Sequence, residues 1–345
     1  MSKKRFVYID IVNIIATFFV LELHSSQAFF YVKSSSSIYL QTKLIQIIFI
    51  PAVLLFFMIS GAMLLDYRNR QSTITFLKKR FFRVVIPLFS WSVIWYVFDI
   101  FWAANPGPMR HLDPSLIDFI KGLFLNNINN IFWFFYIIIA LYLVTPIFSQ
   151  LAVSKKYNLL FAVVCVYFFV NCILVFFVQI FKINIDLENV VQPLMSSSYL
   201  GYFLLGYLIH KNYFNVKQEN LFMVFGFLSL MIALFFGFYA PSLKTTSTTG
   251  LLVFLYSAAL MICIKRISGR IIFSEKWVRL LTRISATNLG VYLMHPFFIK
   301  LFDKIFFINE NNWIHIYLFP FLVYIVCVGV TLMGKKIPIV KYIFP

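Results

Sequence analysis

Long apolar runs restrict the fold of this sequence more than any other feature. A helix needs about 20 predominantly apolar residues to cross a bilayer, and only helices or closed barrels satisfy their backbone hydrogen bonds in lipid. Charged residues make up 12% of the 345 positions, against about 25% in a soluble domain. We therefore predict an all-α polytopic membrane helix bundle and exclude a soluble enzyme. The ten predicted spans cover residues 7–29, 44–65, 84–104, 131–150, 157–181, 196–211, 221–240, 248–264, 286–307 and 313–334.

The basic residues predict how this bundle is oriented. We predict a single domain over residues 1–345, because no soluble domain is appended and no internal repeat is visible. Ten spans place both termini on one side, which carries 22 of the 30 lysines and arginines, whereas the opposite side with its span ends carries 8. The positive-inside rule then predicts cytoplasmic termini. Because the basic residues form short clusters between spans, they indicate contact with anionic membrane lipids and not with nucleic acid.

The first span carries a line of polar residues along one helix face. Asp10 and Asn13 are three positions apart and share that face, and His24 returns to it after about three turns. Ionisable groups that face lipid are costly, so this face should point into protein or a water-filled cavity. A neutral imidazole in such a cavity can act as a general base. The sequence position is equally compatible with a histidine at a helix end in the membrane interface.

A basic cluster precedes the third span. Arg80 and Arg83 are three positions apart, one helical turn, with Lys79 beside them. Paired guanidinium groups suit bidentate binding of phosphate. From charge alone, however, the ordinary cytoplasmic excess of basic residues is the better explanation of this cluster.

Two further places hold candidate residues. Tyr292 and His295 lie in the ninth span, and a proline follows His295, which leaves a carbonyl one turn earlier without its usual donor. A structural hydrogen bond and a functional role for His295 are both open. Trp133 and Tyr136 follow the outer loop 105–130 and suit sugar hydroxyls, although an interfacial aromatic belt is the commoner explanation. No metal site is predicted, and the four cysteines lack disulfide or zinc-ligand spacing.

Several segments together resemble the acyltransferase 3 family of integral membrane acyltransferases. The resemblance covers nearly the whole chain and also implies ten core helices. It implies that His24 is the essential histidine and that Arg80 and Arg83 form the Arg-x-x-Arg associated with acyl-CoA. The family usually has an arginine eleven residues before the histidine, where this chain has Asn13. The matching segments are YIDIVNIIATFFVLELH (8–24), FFMISGAMLL (56–65), KRFFRVVIPLF (79–89), WFFYIIIALYLVTPIF (133–148), GYFLLGYLI (201–209) and TNLGVYLMHPFF (287–298).

The resemblance implies a membrane O-acyltransferase that uses acyl-CoA, most often acetyl-CoA, and modifies hydroxyls of extracytoplasmic or lipid-linked carbohydrate. The expected partners are acyl-CoA, a cell-envelope polysaccharide and membrane lipids, and the expected location is the bacterial plasma membrane. Our hypothesis is that acyl-CoA docks from the cytoplasm with its phosphates near Arg80 and Arg83. Its extended arm then reaches through the bundle to His24, which acts as a general base or as an acyl relay. Asp10 is expected to orient Asn13 or to stabilise the entrance of the bundle.

The Asn13 departure keeps a second class of function open. The alternative is an exporter or flippase for polysaccharide or lipid-linked glycan that transfers no acyl group. Transporters often show inverted repeats and broken helices at mid-membrane, and no such pairing is visible in this sequence. A catalytically inactive relative that serves as a scaffold is a third interpretation. The acceptor, the acyl group and the oligomeric state are not fixed by the sequence.

Overall fold

The computed structural model describes residues 6–101, 111, 113–181, 199–239, 245–338 and 340–344. Every regular element in these ranges is helical, and eight helical segments are long and apolar enough to cross a membrane. The predicted polytopic all-α bundle is therefore confirmed. The α-helices are α1 (Val7–Ser25), α2 (Ser37–Phe49), α3 (Ala52–Leu64), α4 (Thr73–Arg80), α5 (Ile86–Phe101), α6 (Leu116–Phe124), α7 (Trp133–Val153), α8 (Tyr157–Tyr167), α9 (Val175–Ile180), α10 (Leu200–His210), α11 (Val216–Tyr239), α12 (Leu251–Arg270), α13 (Glu275–Ser285), α14 (Asn288–Phe306) and α15 (Phe319–Gly334).

Each predicted span coincides with a helix or a run of helices. Two of the ten, however, are not among the eight segments that are long and apolar enough to cross a membrane. The helix α10 is apolar but shorter than a full crossing. The helix α14 is long enough, but it carries Lys300, Asp303 and Lys304 near its end. The number of crossings and the cytoplasmic termini remain predictions.

Helix edges and loops depart from the sequence predictions in places. The helix α2 begins at Ser37 and not at residue 44, because Ser36 caps it by accepting a hydrogen bond from the backbone N–H of Tyr39. The predicted loops 66–83, 105–130 and 265–285 contain α4, α6 and α13. Loop prediction from low hydropathy misses these helices because each is amphipathic or basic and does not form an apolar run.

The chain divides into two compact units. The first unit comprises Met1–Ser72 and Val144–Ser285, and the second comprises Thr73–Leu143 and Ala286–Pro345. The boundary within the central part of the chain falls inside α7. The single domain expected over residues 1–345 stays a prediction.

Small residues bring α3 and α10 close together in the first unit. A Cβ atom added to Gly206 would lie 2.1 Å from the carbonyl oxygen of Met58, and one added to Gly61 would lie 1.7 Å from that of Phe203. A Cβ atom added to Gly201 would likewise lie 2.1 Å from Cδ1 of the Tyr167 ring. Glycine therefore lets the two backbones touch, as in other small-residue helix interfaces. The short helix α10 therefore packs closely against α3.

Histidines at helix ends are better buried than their sequence positions indicate. His315 is 2% exposed, and its Nδ1 lies 2.5 Å from Oδ1 of Asp303. His210 in the first unit is partly buried, and its Nδ1 shares a 2.7 Å hydrogen bond with the hydroxyl of Tyr8. His210 pairs with Tyr8 on α1, and His315 pairs with Asp303 on α14. Sequence spacing alone reveals neither partner.

We predict that Gly206→Ala destabilises the protein, because a methyl group has no space against the Met58 carbonyl. Overpacking of this kind costs about 1–3 kcal/mol, and thermal unfolding in mild detergent measures it. Gly329→Ala is the matched control, since a Cβ there has no neighbour within 4 Å. Equal melting temperatures for the two variants would contradict the close contact.

Candidate functional site

The N-terminal half of the α1 polar line faces α13. The hydroxyl of Thr282 donates to Oδ2 of Asp10 at 3.3 Å, and Asp10 is buried. The amide nitrogen of Asn13 donates to the carbonyl oxygen of Ser285 at 3.0 Å and to its hydroxyl at 2.9 Å. The prediction that this face points into protein therefore holds for Asp10 and Asn13. The partner helix lies in a segment that the sequence assigned to a loop.

The contact with Ser285 fixes the orientation of the Asn13 amide. A backbone carbonyl only accepts hydrogen bonds, so the side-chain NH2 group must face it. The NH2 group thus reaches two acceptors on Ser285, and Oδ1 is left as the group that Asn13 can offer elsewhere, as an acceptor. Asn13 therefore supplies neither a positive charge nor a donor beyond Ser285.

His24 lies near the other end of α1 and is held by the segment that follows. The amide nitrogen of Gln27 lies 3.0 Å from Nδ1 of His24. Because an amide nitrogen can only donate, Nδ1 accepts in this arrangement and the neutral ring carries its proton on Nε2. The sequence analysis missed Gln27, although its position three residues after His24 was an available signal.

A second glutamine and a buried lysine hold this part of the first unit together. Gln46 on α2 donates to the carbonyl oxygen of Leu23 at 2.8 Å and to the hydroxyl of Ser26 at 2.9 Å. One turn away, Lys43 is 5% exposed and donates to the hydroxyl of Tyr39 at 3.0 Å. Its ammonium lies 5.0 to 6.0 Å from three ring centroids, those of Tyr39, Phe238 and Phe29. Cation–π contacts of this kind stabilise a desolvated ammonium.

Arg80 belongs to the second unit, and its guanidinium group lies beside two aromatic rings that contact each other edge to face. Its Cζ lies 5.9 Å from the ring centroid of Phe76 and 5.8 Å from that of Tyr142. Its Nε is buried and has no hydrogen-bond partner within the described ranges. These cation–π contacts hold the guanidinium group without using its hydrogen-bond donors, which remain available to an anion.

Arg83 lies in a π-helical turn, Phe81–Val85, that joins α4 to α5. A π turn holds more residues than an α turn, so three positions cover less of a circle and Arg83 is rotated relative to Arg80. Arg83 and Lys79 are exposed. Burial and the nearby charge of Arg83 lower the pKa of Lys335, which follows α15. Lys335 therefore belongs to the same basic cluster, and sequence reasoning missed it because the two residues are far apart along the chain.

His295 satisfies the carbonyl that Pro296 leaves without a donor. Proline lacks the N–H that would bond to the carbonyl four residues earlier, which is that of Tyr292. The Nδ1 atom of His295 lies 2.7 Å from this carbonyl oxygen and must donate to it. The Tyr292 hydroxyl donates to the carbonyl oxygen of Ile131 at 2.6 Å. This geometry favours the structural interpretation of both side chains, and a substrate role stays a prediction.

The outer-loop residues of the second unit form a network of their own. Tyr136 donates to the carbonyl oxygen of Leu123, so its hydroxyl anchors the end of α6. Nδ1 of His111 lies 2.7 Å from Oδ2 of Asp118, and Arg110 lies outside the described residues. Trp133 is half-buried at the start of α7. Sugar binding by Trp133 and Tyr136 stays a prediction.

The predicted residues thus fall into separate groups. Asp10, Asn13 and His24 lie in the first unit, whereas the arginine cluster and the Tyr292–His295 pair lie in the second. Within the described ranges, no group of three or more His, Cys, Asp or Glu side chains could hold a metal ion.

Comparison with known proteins gives one match. A sequence model described as an acyltransferase domain, that of the acyltransferase 3 family, matches residues 6–333. No curated protein and no solved structure matches the chain.

We predict that the cost of His295→Leu depends on Pro296. In the parent protein this change leaves the Tyr292 carbonyl without a donor, which costs about 1–3 kcal/mol of unfolding free energy. In a Pro296→Ala background the new backbone N–H can bond to that carbonyl, so the same change should cost about 1 kcal/mol less. Thermal unfolding of the four proteins of this cycle is the measurement. If His295→Leu lowers the unfolding free energy equally in both backgrounds, the imidazole does not stabilise the protein through its hydrogen bond to the Tyr292 carbonyl.

Proposed function

The chain belongs to the acyltransferase 3 family, and on that premise we propose that it is an O-acyltransferase of the bacterial plasma membrane. It is a multi-pass membrane acyltransferase. In the proposal, the donor is acyl-CoA, with acetyl as the first acyl group to test. The acceptor is a hydroxyl of a cell-envelope carbohydrate, either extracytoplasmic or lipid-linked. The observation that carries the donor assignment is Arg80, whose Nε has no partner within the described ranges.

The basic cluster suits the phosphates of CoA. A guanidinium group offers five donors in a planar fork that matches phosphate oxygens. The rings of Phe76 and Tyr142 pre-organise that fork at Arg80, which reduces the entropy lost on binding. Arg83 and Lys335 add positive charge, and the pKa of Lys335 is lowered by burial first and then by the charge of Arg83. An anion bound there would relieve this repulsion.

His24 is the proposed catalytic group. In the direct route it removes the proton of the acceptor hydroxyl as the hydroxyl oxygen attacks the thioester carbonyl. The C–S bond then breaks, and the thiolate of CoA takes the proton from the imidazolium. In the relay route a ring nitrogen attacks the thioester first and releases CoA, and the acyl group passes from the ring to the acceptor oxygen. Both routes yield CoA and an ester.

Gln27 is a positioning residue for His24 in this proposal. With its amide nitrogen on Nδ1, as in the structure, the Nε2–H group can donate to a developing oxyanion. With the amide turned over, Oε1 accepts from Nδ1–H and Nε2 becomes the basic nitrogen. The same side chain can therefore support both protonation states that a proton-transfer cycle requires.

Asn13 and Asp10 have supporting roles in this mechanism. The Asn13 amide is committed to Ser285, so its remaining function is to accept a hydrogen bond through Oδ1. The N–H groups of the pantetheine arm of CoA can donate such a hydrogen bond to Oδ1 of Asn13. Asp10 holds Thr282 of the same partner helix, and we propose that it keeps Asn13 in register.

We predict that His24→Ala abolishes acylation of the surface glycan while protein level and glycan export persist. Loss of a general base lowers the rate by about a hundredfold or more. The measurement is an NMR comparison of O-acyl signals on surface glycans from parent and variant strains. Gln27→Leu keeps the imidazole but removes its hydrogen bond. It should give a smaller loss of acylation, through a lower kcat and not through a higher KM.

Two outcomes would overturn this assignment. Unchanged acylation in His24→Ala would make the histidine interfacial only. Loss of export together with acylation, at parental protein level, would favour the exporter alternative.

We predict that Arg80→Ala/Arg83→Ala raises the KM for acyl-CoA by about tenfold or more, because a hydrogen bond to a charged group contributes about 1.5–3 kcal/mol. The KM for acyl-pantetheine, which lacks the nucleotide phosphates, should not change. Steady-state kinetics of the purified protein with both donors is the measurement. Lys78→Ala on the same helix is the matched control, since it removes an exposed charge outside the cluster. An equal rise in KM for both donors would exclude phosphate binding at the arginines.

A further inference from the structure

The helix α13 presents three different faces. At about 100° per residue, its side chains fall into three arcs of similar width. The arcs are a packing arc of Val278, Thr282 and Ser285, an apolar arc of Trp277, Leu280, Leu281 and Ile284, and a basic arc of Lys276, Arg279 and Arg283.

The packing arc holds α13 against α1. Thr282 donates to Asp10, and Ser285 accepts hydrogen bonds from the Asn13 amide. These contacts lie in the last turn of the helix. No residue of α13 is fully buried, so the helix is attached by polar contacts and not by a hydrophobic core.

Two residues of the apolar arc are exposed, and the other two, Leu281 and Ile284, are partly buried. Trp277 is 58% exposed and Leu280 is 44% exposed. The chain before the helix continues this surface, since Ile271 is 50% exposed and Ile272 is fully exposed. Tryptophan and large aliphatic side chains on one arc are typical of helices that lie in a membrane interface.

The basic arc borders the apolar arc. Lys276, Arg279 and Arg283 are all exposed. Glu275 is the acidic residue of the helix, and it pairs with Arg279 at 3.0 Å. The surface therefore has a net positive charge next to its exposed apolar side chains.

We propose that α13 lies in the membrane interface and binds anionic phospholipid, with the apolar arc among acyl chains and the basic arc on the headgroup phosphates. Charge complementarity selects this occupant, because each basic residue near an anionic surface strengthens binding by about 1 kcal/mol, or about fivefold. A CoA molecule in solution would match the basic arc but would leave Trp277 and Leu280 in water. A lipid monolayer covers both arcs at once.

Lipid binding at α13 also affects Asp10 and Asn13 of the α1 polar line, because the packing arc of α13 contacts both. The helix contributes Ser285, which fixes the Asn13 amide, and Thr282, which contacts Asp10. Anionic lipid that holds α13 in place therefore also holds these two side chains of α1. The binding itself does not depend on the enzymatic assignment, and it can be tested without an activity assay.

The test uses the full-length protein in vesicles of phosphatidylcholine mixed with phosphatidylglycerol. Leu280→Cys, in a background in which Cys165, Cys172, Cys263 and Cys327 are replaced by alanine, carries a fluorophore on the apolar arc. Brominated acyl chains quench a fluorophore that they contact. We expect brominated phosphatidylglycerol to quench it more strongly than brominated phosphatidylcholine. Lys276→Gln/Arg279→Gln/Arg283→Gln should reduce this preference by about tenfold or more.

Lys155→Gln/Lys156→Gln/Lys217→Gln is the matched control, because it removes three exposed charges from other segments. It should keep the preference for phosphatidylglycerol. If neither brominated lipid quenches the fluorophore in the Leu280→Cys protein, the proposal is overturned. This outcome does not depend on the charge variants. A preference that survives the α13 triple change, or that both triple changes reduce equally, would also overturn it. Weaker CoA binding in the α13 variant with an unchanged lipid preference would assign the basic arc to CoA instead.

Discussion

The need to satisfy polar groups away from water governs the details of this protein. A helix in lipid has no solvent to complete its hydrogen bonds, so a polar group within a span is stabilised by a partner in the protein. Pro296 shows the rule most simply, because it removes a backbone donor and the side chain of the preceding residue, His295, donates to the Tyr292 carbonyl instead. Lys43 shows the same rule for a charge, since three aromatic rings and a tyrosine hydroxyl surround its ammonium.

The same constraint gives Asn13 a defined role. An arginine at this position would need an acceptor for its charge, whereas the asparagine amide is satisfied by a single residue, Ser285. The departure from the usual family residue is thus accompanied by a specific contact with α13. The polar line on α1 consequently has two parts that differ in character. Asp10 and Asn13 are held by a neighbouring helix, and His24 is held by Gln27, which lies just beyond the end of α1.

Positive charge serves more than orientation in this chain. Arg80 makes cation–π contacts with two aromatic rings, Arg83 and Lys335 lie near one another, and α13 carries three exposed basic residues beside an apolar surface. A count of lysines and arginines treats all of these equally. Their surroundings distinguish them, because a guanidinium group held by aromatic rings is pre-organised for phosphate whereas a basic arc beside exposed tryptophan is suited to an interface.

Apolar run length and basic residue counts determined the class of this protein, and the matching segments determined its family, because a bilayer imposes a fixed helix length and a family preserves ordered motifs. The sequence also marked His24, Asn13 and Arg80 as residues to examine. It could not supply their partners, since Ser285 lies 272 positions from Asn13 and Tyr142 is distant from Arg80. The amphipathic α13 lies in a segment that was predicted to be a loop. The mean hydropathy of this segment is low because its polar residues offset its apolar ones. Only tertiary packing decided these contacts, since hydrogen bonds and ring stacking depend on distance in space and not on separation along the chain.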